Sequence, residues 1–246
     1  MKAAIVVLST GEYWRGAKVL FHTLRKYGNL PSSVTTIAMG MKECDFAEAI
    51  PITQDYSWVP VSQVNFPRVA EKLFALTLDY DRIIMLDADT ICLGDCSLLW
   101  SDWLNPLPFY AVRDVASNIY YNQVVAEQGL DPNLLFNAGT MIFDTRKFPL
   151  SNFLLSVRNR EIVSYDGGDQ GYLNCWFQKT KTPFGWLPLE YNACTDSHYP
   201  RMESGTEKIV HFTGANVKPW NTKIGESDRR YPLVVRWRQE WEDCNR

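Results

Sequence analysis

The chain has 246 residues, 46% hydrophobic and 22% charged, the profile of a folded globular protein rather than a disordered or fibrous one. A net charge of −3 gives no electrostatic footing for DNA or RNA. No apolar stretch is long enough to span a bilayer, and the first strand begins so close to Met1 that no signal peptide is expected.

Six cysteines (Cys44, Cys92, Cys96, Cys175, Cys194 and Cys244) are scattered without Cys-x-x-Cys spacing. Free thiols in a reducing cytoplasm are expected rather than a disulfide framework. Aromatic residues make up 13% of the chain, which suits a carbohydrate site and equally a well-filled core.

"AAIVVL", Ala3–Leu8, is a continuous apolar run, the mark of a strand covered on both faces. Ser9, Thr10 and Gly11 form a turn. Ala17, Leu20, Phe21 and Leu24 then recur at helical spacing until Gly28. "SVTTIAM" reads as a second strand, residues 68–78 as a helix, and Arg82–Leu86 as a third strand. This alternation predicts an α/β domain with a mainly parallel sheet and helices on both faces.

Beyond Leu93 the alternation loosens. "FYAV" and "AGTMIFD" read as strands, 147–158 as a helix, and "YDGGDQGYLNCWF" as a glycine-rich turn opening a helix. "KIVHFTG" is a late strand, and 233–244 a closing helix. With no repeat or linker, 1–246 is read as one domain: a nucleotide-binding half (1–93) and an acceptor- and sugar-facing half (94–246).

"RIIMLDADT" concentrates the chemistry. Residues i and i+2 of a strand point the same way, so Asp87 and Asp89 present both carboxylates to one side. They stand at the strand's C-terminal end, where open α/β sheets bind ligands. Paired oxygen donors suit a hard divalent ion that bridges protein to phosphate. Asp-x-Asp alone also serves to cap a neighbouring turn. An aspartyl phosphatase carries a similar pattern, but nearer the start of its fold. A dehydrogenase would need Gly-x-Gly-x-x-Gly after the first strand, and the chain lacks it.

Six segments in collinear order carry a more specific signal. "LSTGEYWRGA", "EKLFALTLDYDRIIMLDADT", "LFNAGTMIFD", "YDGGDQGYLN", "LPLEYNA" and "VHFTGANVKPW" together resemble the family 8 retaining glycosyltransferases, glycogenin-like members above all. The resemblance implies a GT-A fold: one Rossmann-like domain with a mainly parallel central sheet and a smaller mixed sheet. It implies Mn²⁺, with Mg²⁺ the alternative, held by Asp87, Asp89 and His211. On its own, a histidine at a strand end is as readily a structural group.

The same resemblance implies a UDP-hexose donor, glucose or galactose. Leu8, Thr10 and Tyr13 would form the uracil slot, and Ala88 would line the donor between the two metal aspartates. Lys72 would lie near the sugar hydroxyls, although a solvated helix lysine is the plain alternative. Asn137 and Gly139 would line the sugar pocket, and Gly214 and Lys218 would hold the β-phosphate. Asp169 and Gln170 are the candidates for stabilising the anomeric carbon. Asp166 would hold the Gly167-Gly168 turn or touch acceptor hydroxyls. Asp169 could instead be a helix cap.

The expected partners are the UDP-hexose and a glycan or glycoprotein acceptor; the resemblance also allows a homodimer. Three readings stand at this point: a hexosyltransferase, a phosphatase or sugar-nucleotide hydrolase, and a non-catalytic sugar-nucleotide binder. A self-glucosylating primer is a variant of the first. The segment between "EYNA" and "IVHF", whose only tyrosine is Tyr199, is shorter than the resemblance to glycogenin-like enzymes implies, so a separate acceptor is expected.

Overall fold

The structure is a computed structural model that describes residues 1–52, 69–102, 104, 106–114, 121–159, 161–196, 205–214 and 218–246. Its main sheet contains β1 (Ala3–Leu8), β2 (Val34–Met39), β3 (Glu48–Ile50) and β4 (Arg82–Leu86). β5 (Thr90–Cys92) follows in chain order but leaves that sheet. β6 (Phe109–Arg113), β7 (Phe136–Asp144) and β8 (Gly185–Leu187) complete it, in the order β3-β2-β1-β4-β7-β6-β8. A small sheet joins β5 to β10 (Ile209–His211) and β9 (Ala193–Cys194), in the order β5-β10-β9.

β1 to β4 pair in parallel, as does β8 on β6, while β7 runs antiparallel to both β4 and β6. The expected mainly parallel α/β sheet is therefore present. β3, β5, β8 and β9 escape the sequence because each spans only two or three residues, too few for periodicity to register.

The described helices are α1 (Trp14–Tyr27), α2 (Asn122–Glu127), α3 (Leu150–Arg158), α4 (Asp169–Thr180) and α5 (Tyr231–Asp243). Strand alternation distributes them over the sheet. Ala4, Val6, Ile83 and Met85 pack with Phe153 of α3 and with Leu173, Trp176 and Phe177 of α4. Ile5, Val7, Ile84 and Leu86 pack instead with Ala17, Leu20, Phe21 and Leu24 of α1. A further cluster of Val19, Ile91, Val210, Phe212, Val234 and Trp237 ties α1 to the small sheet and α5.

One helix differs in kind from its expectation. Val69–Thr77 is a 3-10 helix, not an α-helix. Its burial pattern is compatible with that form. Lys72 and Leu73, then Ala75 and Leu76, are buried, while positions 71, 74 and 77 are more open. A repeat of three matches the three residues per turn of a 3-10 helix. No described helix is long and apolar enough to cross a membrane, and all six cysteines are unpaired.

Candidate metal centre

The reversal of β7 builds the site. Because β7 runs against β4, its first residues lie beside the end of β4, with Leu86 opposite Thr140. The Asp87 amide donates to Gly139 O at 3.0 Å. Thr90 Oγ1 donates to Asp87 O at 2.7 Å and holds the turn that carries the chain from β4 into β5. There Thr90 pairs with His211 of β10, and the Phe212 amide donates to Asp89 O at 2.9 Å. Strand register alone thus brings together residues more than a hundred positions apart.

His211 Nε2 lies 3.6 Å from Asp87 Oδ2 and 3.4 Å from Asp89 Oδ1. The ligand atoms of Asp87, Asp89 and His211 all lie within 4.8 Å of one another. In a coordination sphere with bonds of about 2.1 Å, neighbouring and opposed donors are about 3.0 to 4.2 Å apart. The histidine–carboxylate spacings fall inside that range. Two carboxylates and one imidazole suit Mn²⁺ or Mg²⁺ better than a thiolate-loving ion. The residues fit the ion that the resemblance implies.

Two buried lysines flank the carboxylates. Lys218 Nζ pairs with Asp89 Oδ2 and donates to Phe212 O at 3.0 Å. Burial alone would raise the Asp89 pKa, but the Lys218 ammonium and then His211 outweigh it and hold the acid below its ordinary value. Lys72, far from being a solvated helix residue, is 5% exposed. Its ammonium donates to Asp87 Oδ1 at 2.6 Å and to Ala138 O at 2.7 Å. Burial opposes its charge, but Asp169 and then Asp87 prevail and raise its pKa.

Asp169 opens α4 as its first residue, behind the Gly168 cap. It caps nothing itself, which sets aside the helix-cap reading. Its Oδ2 lies 3.3 Å from Lys72 Nζ, an ion-pair distance without hydrogen-bond geometry, and is buried with no hydrogen-bond partner among the described residues. Burial pushes the Asp169 pKa up to about 6; Lys72 opposes the rise and the Asp87 charge adds to it. The Asp166 Oδ1 accepts from Ser164 Oγ at 2.7 Å, Gly168 N at 2.7 Å and Gly171 N at 3.0 Å, contacts that hold the glycine turn. Gln170 has both amide ends engaged, accepting from Ala138 N at 2.9 Å and donating to Asp114 Oδ2 at 2.6 Å.

The remaining expected residues have the following surroundings. Leu8 and Thr10 meet at Gly40, whose added Cβ would lie 2.5 Å from Thr10 Cγ2 and 3.7 Å from Leu8 Cδ1. Tyr13 meets Trp220 edge to face at 5.3 Å between ring centroids. Ala88 lies under α1, where Gly16 leaves room that any Cβ would take from the Ala88 carbonyl. Asn137 Oδ1 accepts from the Gly139 amide at 2.8 Å. Gly139 is pressed so closely against His211 and Asn192 that a side chain there would collide with both. Gly214 is exposed just beyond β10. Tyr199 lies outside the described residues.

Sequence reasoning passed over two participants. Asp114 receives Gln170, and Asn192 receives His211 Nδ1 at 3.0 Å. Asn192 stands inside "LPLEYNA", a segment that carried the resemblance. Asp114 had no local pattern to mark it.

Comparison with known proteins gives one direction. The model of the family described as "Glycosyl transferase family 8" matches residues 4–223. Lipopolysaccharide 1,2-glucosyltransferase of Escherichia coli (strain K12) is 29% identical over 81% of this chain and 60% of its own length. Glycogenin of Komagataella phaffii is 25% identical over 91% of this chain and 59% of its own. The chain therefore spans about three fifths of these relatives' length. The solved galactosyltransferase LgtC, in complex with donor and acceptor sugar analogs, superposes with a TM-score of 0.69. That match covers 98% of this chain and 95% of that one at 14% identity. At that identity the likeness speaks for the fold, which is GT-A.

Proposed function

The chain belongs to glycosyl transferase family 8, and on that premise we propose that it is a metal-dependent retaining hexosyltransferase. It moves glucose or galactose from a UDP-sugar to a hydroxyl of a glycan or glycoprotein. One observation carries this reading: Asp87, Asp89 and His211 converge within 4.8 Å at the C-terminal end of β4. The names of the relatives, a glucosyltransferase and a galactosyltransferase among them, support both hexoses. Six unpaired thiols support the cytoplasm as its compartment.

The chemistry follows from where charge develops. The bond from the anomeric carbon to the β-phosphate oxygen breaks and its electron pair leaves with UDP, while the acceptor oxygen bonds the anomeric carbon and its proton passes to the departing phosphate oxygen. A bound divalent ion supplies Lewis-acid stabilisation of that leaving phosphate. Lys218 adds a fixed ammonium on the same side. The anomeric carbon becomes oxocarbenium-like, and an anionic oxygen close to it lowers the barrier. Asp169 is the buried carboxylate for that task. Gln170, engaged by Ala138 and Asp114, keeps α4 and the start of β7 in register beneath it. Leu8, Thr10 and Tyr13 hold the base, and Asn137 and Gly139 border the sugar.

The test is a screen of nucleotide sugars with purified protein and Mn²⁺, read as UDP release and as hexose on a glycan acceptor. UDP-glucose or UDP-galactose should turn over, EDTA should stop it, and Asp87→Asn, Asp89→Asn and His211→Ala should each nearly abolish it. Full turnover in EDTA sinks the proposal.

A further inference from the structure

A metal-binding nitrogen has to be free of a proton, and the structure contains a device that selects which nitrogen of a neutral His211 that is. The Gly139 amide can only donate, so the Asn137 side-chain atom it meets at 2.8 Å is the carbonyl oxygen. That oxygen also meets the Asn192 side chain, at 2.7 Å. With Asn137 supplying the acceptor there, Asn192 must offer its Nδ2. Its other atom, Oδ1, then faces His211 Nδ1 at 3.0 Å. An amide oxygen accepts and cannot donate, so Nδ1 carries the proton. In the neutral imidazole, Nε2, which lies 3.4 Å from Asp89 Oδ1 and 3.6 Å from Asp87 Oδ2, then keeps its lone pair.

We infer that Asn192 is a positioning residue, which through the relay Gly139–Asn137–Asn192 locks His211 in its Nδ1–H tautomer and presents Nε2 to a divalent ion. The ion rests on the proposed function; the tautomer does not. Three further features hold the relay in place. Asn192 is 2% exposed, so water does not compete for its amide. Thr140 Oγ1 donates to Tyr191 O at 2.7 Å and pins the 3-10 turn Leu189–Asn192 to β7. Gly139 leaves no room for a side chain, so the imidazole and the Asn192 amide pack directly on the backbone of β7. Cys194 Sγ stands 3.9 Å from the same Nδ1, a longer and weaker contact than the amide. Outer partners of this kind fix ligand orientation and are worth about 10- to 100-fold in metal affinity.

The experiment uses histidine ¹⁵N NMR on the metal-free protein at a pH where the imidazoles are neutral. The chain has three histidines, His22, His198 and His211, and a His211→Gln variant assigns the signal. The expected result is the Nδ1–H pattern for His211 in the wild type. Asn192→Asp gives up the donor to Asn137 but keeps an acceptor toward Nδ1, so the pattern should persist there, and it should be lost in Asn192→Leu. Free Mn²⁺ measured by EPR should show binding weakened about 10- to 100-fold in Asn192→Leu and much less in Asn192→Asp. An Nε2–H pattern in the wild type overturns the inference, and needs no variant to fold. An unchanged tautomer in a folded Asn192→Leu overturns it as well. A wild type that shows Nδ1–H yet binds no divalent ion supports the relay and refutes the metal reading of the function.

Discussion

Lys72, itself buried, pairs with the half-buried Asp87 at 2.6 Å, and the same ammonium lies 3.3 Å from Asp169. One charge therefore joins the 3-10 segment, the end of β4 and the first residue of α4. The two carboxylates would otherwise repel each other in a site short of water.

Replacing Lys72 with Met should expose that repulsion. Removing one partner of a buried pair costs about 3–5 kcal/mol. Asp87 keeps a side-chain exposure of 31%, which places the cost toward the lower end. Urea unfolding at pH 7 should show a loss of roughly 3 kcal/mol, shrinking at pH 5, where Asp169 can take up a proton. A loss within about 0.5 kcal/mol, the usual effect of a surface substitution, would show that the ammonium is not the link described.

The metal-free protein should carry a pH signature of Asp169. Burial raises its pKa to about 6, against Lys72. In the unfolded chain an aspartate titrates near about 3.9. Between these values the native state holds a proton that the unfolded chain has released. The stability from this group is thus complete below about pH 4 and is lost as pH rises through about 6. Asp89 has the opposite sign: its folded pKa is depressed, so its contribution is present above about pH 4 and lost in acid. Melting temperatures of EDTA-treated wild type and Asp169→Asn, taken from pH 4 to 7, should diverge through the Asp169 window. Parallel curves would refute the assignment.

Lys218 should separate metal binding from donor binding. It holds Asp89 Oδ2, while His211 faces Asp89 Oδ1, so an ion can take one oxygen and leave the lysine on the other. Lys218→Met removes a competing positive charge from the metal aspartate. Mn²⁺ affinity should hold or rise. UDP affinity in the presence of Mn²⁺ should fall about tenfold or more, since a charge-assisted hydrogen bond is worth about 1.5–3 kcal/mol. Calorimetry with Mn²⁺ alone and then with UDP distinguishes the two; equal losses in both would place Lys218 in the metal shell instead.

The sequence declared what depends on local pattern. β1 and β4 are runs of buried apolar residues, and Asp87 and Asp89 follow β4 at the spacing that aims both one way. His211 was legible only through its neighbours in "HFTG", because its pairing with Thr90 is a matter of sheet register. The antiparallel course of β7 left no local mark, although it sets Gly139 beside Asp87. The 3-10 form of Val69–Thr77 was hidden because its apolar residues fit a helix of either kind. Asn192 and Asp114 needed three dimensions, since each acts through a partner tens of residues away.

Transfer itself should proceed with retention, giving an α-linked hexose on a separate acceptor. The glycine-rich block places Asp169 at the start of α4, buried beside Lys72, with an oxygen that accepts no hydrogen bond among the described residues. Such an oxygen gains most when positive charge builds on the anomeric carbon, so its contribution belongs to the transition state rather than to ground-state binding. Asp169→Asn should therefore lower kcat about 100-fold or more, a loss of about 2.7 kcal/mol, while the UDP dissociation constant moves by about threefold at most. Proton NMR of the product should show the α anomer, and intact mass should show no hexose on the chain. A β product would overturn the retaining mechanism. Hexoses that build up on the protein and vanish in Tyr199→Phe would leave the chemistry standing and turn the chain into its own acceptor. Equal losses in kcat and UDP affinity would reduce Asp169 to a structural partner of Lys72, because a group that only holds the site together weakens ground state and transition state alike.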